Sequence, residues 1–471
     1  MDNNYNNQNG VNDFQNMNNM ANMNNMNNMN TAAAWGNEQK VKDNGSFFKG
    51  MAVGLTITLT LIVAVWLGKF LISKDYIETD DKKQMLDNAG YNPDGTAKED
   101  ETDKKTEDKD DDSLVDLDEI FTKAEYIEKL IEQYYYYEDD IPKVEDGLYA
   151  GMLAGLGDPY SVYYDEEAFE AMMESTSGSY CGIGVVVQQH METMQISVVN
   201  PYKGCPGYEA GIRPGDIILG TSDIDFTGMD INEAVSYIRG EENTKVTIRI
   251  LRGEEELSFE VTRKVIDIPT VSYELLEGNV AYIKIDSFDE VTYDQFAEAV
   301  MKAKRDNCVG YIFDVRDNGG GLLDTVVEML DDILPTGKIV YTEDRDGHRD
   351  TEYSDENCIT APIAVLTNGY SASASEIFAG AIQDYGVGKL IGTQTFGKGI
   401  VQSIIPLGDG TAIKLTVSAY FTPNGRNIHG EGITPDVVVE LPQEEEAYDN
   451  GYIKREYDTQ LEAAMKYILG Q

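Results

Sequence analysis

The chain has 471 residues, 41% of them apolar, and carries 84 acidic against 37 basic side chains, a formal charge of −47. Its length allows two or three domains with real cores. The acidic excess excludes nucleic acid as a partner and opposes docking on an anionic membrane surface, because phosphate binding needs clustered Lys and Arg.

Four cysteines (Cys181, Cys205, Cys308 and Cys358) lie far apart without a CxxC pair, so neither a zinc site nor a dense disulfide framework is indicated, although one disulfide stays open. Only three histidines occur, His190, His348 and His429, which limits any chemistry built on imidazole.

Residues 1–48 are expected to be a disordered tail, rich in Asn and Met and without the means to pack. A charge-free apolar run from Gly50 to Gly68, bounded by Lys49 and Lys69, predicts a transmembrane helix within 49–72. Lysines flank it on both sides, so charge does not decide its orientation. Residues 73–113, crowded with Asp, Glu, Lys and Thr, read as a solvated spacer.

Folded sequence is expected from 114. Ile120, Ala124, Ile127, Leu130, Ile131 and Tyr134 recur at helical spacing, and a second helix covers Val144 to Leu156 within an N-terminal helical segment, 114–177. After Gly178 the pattern changes to short β-branched runs, Ile183–Val187, Ile196–Val199, Ile217–Leu219 and Val246–Leu251, interrupted by a helix over Asn232–Arg239. From Val280 onward strands alternate with helices (Tyr293–Lys304, Leu323–Leu334, Ser373–Tyr385), which predicts a layered α/β domain over 265–442, followed by a C-terminal helical extension over 443–471.

Residues 178–264 resemble a PDZ domain, through Gly182-Ile183-Gly184-Val185 and Gly211-Ile212-Arg213-Pro214-Gly215-Asp216-Ile217-Ile218. Glycines before a strand leave N–H groups free to meet a terminal carboxylate, while the strand edge accepts an extended peptide. Gly182, Ile183, Gly184, Val185 and Arg213 are therefore the candidate peptide-binding residues. A tight strand entry, and an interdomain contact for Arg213, are the plainer readings.

Ser371-Ala372-Ser373-Ala374-Ser375-Glu376 follows a strand and opens a helix, where free N–H groups and the positive end of the dipole suit an acyl-transfer nucleophile. The same residues satisfy a Ser-x-x-Glu capping box. Gly397-Lys398-Gly399-Ile400-Val401-Gln402 places a lysine between glycines at a strand entry. A buried lysine loses its charge and can act as a base for serine, with Gln402 in reach if i and i+4 share a strand face.

These segments, with Asp158-Pro159-Tyr160-Ser161, Asp314-Val315-Arg316-Asp317-Asn318-Gly319-Gly320-Gly321 and Gly430-Glu431-Gly432-Ile433-Thr434-Pro435-Asp436, resemble the PDZ-containing carboxyl-terminal processing peptidases, in that family's order. The resemblance implies a crotonase- or ClpP-like serine peptidase core. It implies Ser373 as nucleophile, Lys398 as base, Gln402 as the base's orienting partner, and Gly320 and Ala374 as oxyanion donors. It further implies an acyl-enzyme without metal or cofactor, protein or peptide substrates taken by their C-termini, dimerisation through 115–156, access to the active site controlled by the PDZ domain, and a catalytic part outside the cell membrane. Gly319 stands where many relatives carry proline, and Asp384 stands where some relatives place a supporting carboxylate, with simple solvation of a helix C-terminus as the plainer reading. A tethered scaffold that captures tails without cutting them, and a self-processing precursor, are the competing readings. No GxSxG or HExxH motif is present, and His429 is the one histidine beside a motif.

Overall fold

A computed structural model describes residues 116–136, 144–449 and 451–471. The expected tail, the span at 49–72 and the acidic spacer lie outside these residues. No helix among the described residues is long and apolar enough to cross a membrane.

The chain divides into two units. In one, α1 (Leu117–Tyr134) starts at Asp116, whose carboxylate accepts from Glu119 N–H. Asp118 and Glu119 in its first turn face the positive end of the helix dipole.

The described part of the other unit starts at Glu145 within α2 (Val144–Ala154), which leaves the helical conformation before Gly157 at φ 70°. The Tyr163 hydroxyl donates to Asp146, and the Tyr149 and Tyr163 rings meet at a tilt with centroids 5.4 Å apart, fixing α2 on β1 (Val162–Tyr164). Next comes α3 (Glu166–Ser177), capped by Asp165 and ended by Gly178 in the left-handed conformation.

The PDZ-like segment opens with β2 (Ser179–Gly182), paired with β8 (Lys264–Asp267). Five antiparallel strands follow in spatial order β3 (Val185–Gln189), β4 (Ile196–Pro201), β5 (Ile217–Thr221), β6 (Lys245–Arg252) and β7 (Glu255–Thr262). On β6 every second residue turns inward, so Val246, Ile248 and Ile250 join Ile196, Ile212, Ile218 and Phe226 in one core. The helices α4 (Pro206–Ala210) and α5 (Ile231–Ile238) accompany the sheet, and β3 forms its edge.

The second core is a six-stranded sheet. β9 (Val271–Leu276) runs antiparallel to β10 (Val280–Ile285), and β11 (Gly310–Asp314), β14 (Ile363–Thr367), β15 (Gly388–Gly392) and β18 (Val437–Val438) continue it in parallel. α6 (Thr292–Arg305), α7 (Leu323–Asp331) and α8 (Ala374–Tyr385) supply the helical side of a large apolar cluster that includes Phe288, Phe296, Phe313 and Phe378. On another cluster, α9 (Thr459–Leu469) sets Leu461, Ala464 and Ile468 against Val280, Ile312, Leu366 and Ile391. Strands buried on both faces explain the continuous apolar runs of β11 and β14.

A second sheet joins β12 (Gly337–Asp344), β13 (Arg349–Ser354), β16 (Ile400–Pro406) and β17 (Ala412–Phe421) with β1. The C-terminal extension is helical only in part. A small hairpin of β19 (Tyr448–Asp449) and β20 (Tyr452–Ile453) precedes α9. All four cysteines are free thiols.

Candidate active site

Three serines stand at the junction of β14 and α8, and their surroundings separate them. Ser371 Oγ donates to Val315 O at 2.8 Å, and Ser375 Oγ donates to Asn318 O at 2.9 Å; both residues are fully buried. Ser373 between them is partly exposed and sits at φ 55°, ψ −115°, a conformation that L residues avoid. A strained turn from strand to helix is the backbone of a nucleophile elbow, formed here without the usual glycine pattern.

Glu376, wholly buried, organises the site. One carboxylate oxygen accepts from Ser373 N–H at 3.0 Å and Lys398 N–H at 2.8 Å; the other accepts from the Thr395 hydroxyl at 2.6 Å and Gly397 N–H at 2.8 Å. The Tyr420 hydroxyl lies 2.5 Å from Lys398 O and 3.0 Å from Ser373 O. Two buried groups therefore tie the main chains of the strained serine and the lysine together, Glu376 at their N–H groups and Tyr420 at their carbonyls. Glu376→Ala would strand four donors around a cavity, and is expected to lower unfolding stability by about 3 kcal/mol or more; urea titration of the variant checks it.

Lys398 Nζ lies over the Tyr160 ring, 4.7 Å from its centroid. Burial pulls the ammonium down to about 8, the nearby Lys414 pushes the same way, and Asp158 and Glu376 partly oppose them. Asp158 accepts from the Ser161 hydroxyl at 2.6 Å and from Tyr160 N–H at 3.0 Å, which folds the Asp158–Ser161 turn over the lysine. Burial would raise the Asp158 carboxyl, but these bonds hold it below its ordinary range.

Facing Ser373 is the glycine turn. Gly320 has φ 107°, and a Cβ there would stand 2.8 Å from both Ala372 O and Ser373 Cβ and 3.0 Å from Ala374 N. That approach admits only glycine. The Asn318 side chain accepts Gly320 N–H at 2.8 Å and donates to Ile285 O at 2.9 Å. Among the described residues, Ala374 N–H donates no hydrogen bond. The arrangement offers a strained hydroxyl, an amine that titrates near 8 and a helix N-terminus with a free N–H, the parts that acyl transfer requires.

Three family models match the chain: "Peptidase family S41" over residues 279–439, "PDZ domain" over 197–252 and "Activating protease CtpB N-terminal domain" over 89–168. A "Carboxy-terminal-processing protease" of Bartonella bacilliformis is 40% identical over 337 residues, covering 69% of this chain and 76% of the relative. The chain belongs to the S41 family of carboxy-terminal-processing proteases. A "Probable CtpA-like serine protease" of Staphylococcus aureus strain N315 is 37% identical over 325 residues, 68% of this chain, and the chain spans only 65% of that relative's length. The solved photosystem II D1 C-terminal processing protease aligns with 68% of this chain and 88% of its own at 29% identity and TM-score 0.41.

Within this S41 chain, three expected contacts differ from the sequence reading. Gln402 does not hold Lys398: its amide donates to the Thr416 hydroxyl at 3.3 Å. β16 begins only at Ile400, so Lys398 lies in an irregular segment and strand alternation does not carry across to it. Gly320 N–H is occupied by Asn318 rather than turned toward an oxyanion. Arg213 stacks on Tyr208 at 4.6 Å and donates to Tyr208 O and Ile212 O, bonds local to α4.

Asp384 accepts from Asn424 N–H and pairs with Arg426 at 2.5 Å, fixing the turn after β17. His429 is exposed, and its backbone packs against Gly399.

In the PDZ segment, Ile183 N–H and Gly184 N–H donate no hydrogen bond among the described residues. Ile183 is itself buried, while Val185 starts the edge strand β3. A Cβ on Gly182 would touch the Tyr180 ring at 2.9 Å and Arg239 Cγ at 3.9 Å. Arg239 lies over that ring, pairs with Glu174 of α3 at 2.5 Å, and keeps a buried Nε without a partner. Sequence reasoning missed Tyr160, Arg239 and the Asn318 side chain; only their places inside quoted motifs, or at the end of the predicted PDZ helix, hinted at them.

Proposed function

We propose that this chain is a serine endopeptidase that cleaves proteins or peptides near their C-termini, with Ser373 as nucleophile and Lys398 as general base. The observation that carries the reading is the contrast among three neighbouring serines: Ser371 and Ser375 are bonded into the 315–318 turn, while Ser373 is strained, partly exposed and tied through Glu376 to Lys398. Neutral Lys398 takes the hydroxyl proton as Ser373 Oγ attacks the scissile carbonyl. The oxyanion meets Ala374 N–H at the start of α8, and the protonated lysine then returns its proton to the leaving amine. Water hydrolyses the acyl-enzyme by the same exchange.

The PDZ segment is proposed to take the substrate's terminal carboxylate at Ile183 and Gly184 N–H, with Arg239 as the neighbouring cation and β3 pairing with the extended chain. Because Arg239 is paired with Glu174, carboxylate binding would compete with that pair and so gate the peptidase. Residues 49–72 are proposed to anchor the chain in the cell membrane with the catalytic part outside. The apolar side chains that α2 exposes, among them Leu148 and Met152, are proposed to serve a homodimer; a monomer on sedimentation at micromolar concentration would count against it.

A peptide ending in a free carboxylate is expected to be cut at least about tenfold faster than its C-terminal amide, through loss of a charge-assisted contact. Equal rates for the two would remove C-terminal recognition from the proposal; hydrolysis of neither, with casein also intact, would remove the peptidase.

A further inference from the structure

Arg316 stands two residues before Asn318 and four before Gly320, yet its side chain is only 8% exposed. Its Nε and Nη2 donate to Asp314 at 2.9 and 2.6 Å. The remaining donors turn to the far end of the chain: Nη1 and Nη2 reach Asp458 at 3.0 and 2.9 Å, and Nη1 reaches Gln460 Oε1 at 3.0 Å. Asp314 alone would neutralise this guanidinium. A second buried carboxylate, delivered from 142 residues away and costly to desolvate, needs another reason.

The surroundings supply one. Asp458 also caps α9, accepting from Leu461 N–H at 2.9 Å, and α9 is docked on the sheet by Leu461, Ala464 and Ile468. Arg316 is thus gripped by an element that is itself anchored. From the other side Lys284 Nζ donates to Arg316 O at 3.2 Å. The next residues meet the nucleophile's segment directly: Asp317 bridges to Asn368, and Asn318 O accepts Ala372 N–H at 3.0 Å and Ser375 Oγ at 2.9 Å. A shift at Arg316 therefore reaches the Gly320 turn, which abuts Ser373 and Ala374, within a few bonds.

We propose that the C-terminal segment, through Asp458 and Gln460 on Arg316, is a positioning element for the glycine turn opposite Ser373. These residues lie beyond the S41 match, which ends at 439. The proposal rests on the Ser373/Lys398 reading and adds Asp458 to it as a positioning residue, one that acts through Arg316 and touches no substrate.

Asp458→Asn removes the charge and the oxygen that accepts from Arg316 Nη2 while keeping the cap on α9, because Asn caps a helix as well as Asp does. In the full-length chain its kcat on β-casein is expected to fall at least about tenfold with KM within about twofold, while the number of sites titrated by a fluorophosphonate probe stays that of the parent. Asp458→Asn combined with Gln460→Glu returns a carboxylate to Nη1, gives up the bond that the Gln460 amide donates to Val439 O, and is expected to recover part of the lost kcat. An unchanged kcat, a loss matched by a loss of titrated sites, or a double variant no better than the single would overturn the positioning role. Ser373→Ala assayed alongside separates the two claims: activity surviving there would unseat the nucleophile instead.

Discussion

Ser373→Ala is expected to abolish casein cleavage by the full-length chain, with kcat falling on the order of a million-fold. The serines on either side cannot substitute, since their hydroxyls are spent on Val315 O and Asn318 O inside a closed core. Stability is expected to hold or rise slightly, as Ala374, Glu376 and the α8 core stay in place. The variant therefore separates chemistry from folding, and comparing its urea midpoint with the parent's verifies that separation. Matching Ser371→Ala and Ser375→Ala variants are expected to lose stability through unpaired backbone acceptors rather than to lose the reaction itself.

The second large effect is at Lys398. Removing the amine is expected to cost roughly ten-thousand-fold in kcat, and Lys398→Arg is expected to be no better, since a guanidinium stays protonated throughout the usable pH range. The parent should show the base directly in its pH profile. As the proposed base, Lys398 can accept the serine proton only when neutral, and burial followed by the charge of Lys414 lowers its pKa to about 8. Activity is then expected to climb about tenfold per pH unit below that value and level off above it. Lys414→Ala removes the like charge, so the midpoint should move upward, and a midpoint that moved down or vanished would contradict the assignment of the base.

The strand, small-residue turn and helix around Ser373 were legible because each is a local pattern: a β-branched run at Ile363–Thr367, small residues, then an apolar helix opened by Ser and Glu. The capping-box reading of Glu376 was right but incomplete. Its bonds to Gly397 and Lys398 span 21 and 22 residues and depend on how two elements pack. Gln402 shows the reverse failure: the alternation rule applies inside a strand, and Lys398 lies outside it. Opposite Gln402 the β16–β17 register slips between Val401 and Gln402, so even its partner, Thr416, depends on an irregularity no periodicity announces. The clamp of Asp458 on Arg316 is beyond any local pattern, since it joins residues 142 apart in the chain. The PDZ strands emerged from alternation, but the cation beside the glycine loop did not. The motif points to Arg213, and only the fold puts Arg239 beside Gly182.

The most direct test of the Ser373/Lys398 dyad is covalent labelling of the full-length chain with a fluorophosphonate, mapped by tandem mass spectrometry. The account predicts an adduct on Ser373, formed faster as pH rises through about 8 and lost in Lys398→Ala. Labelling of another residue in step with loss of casein cleavage, or cleavage that survives Ser373→Ala, would contradict it.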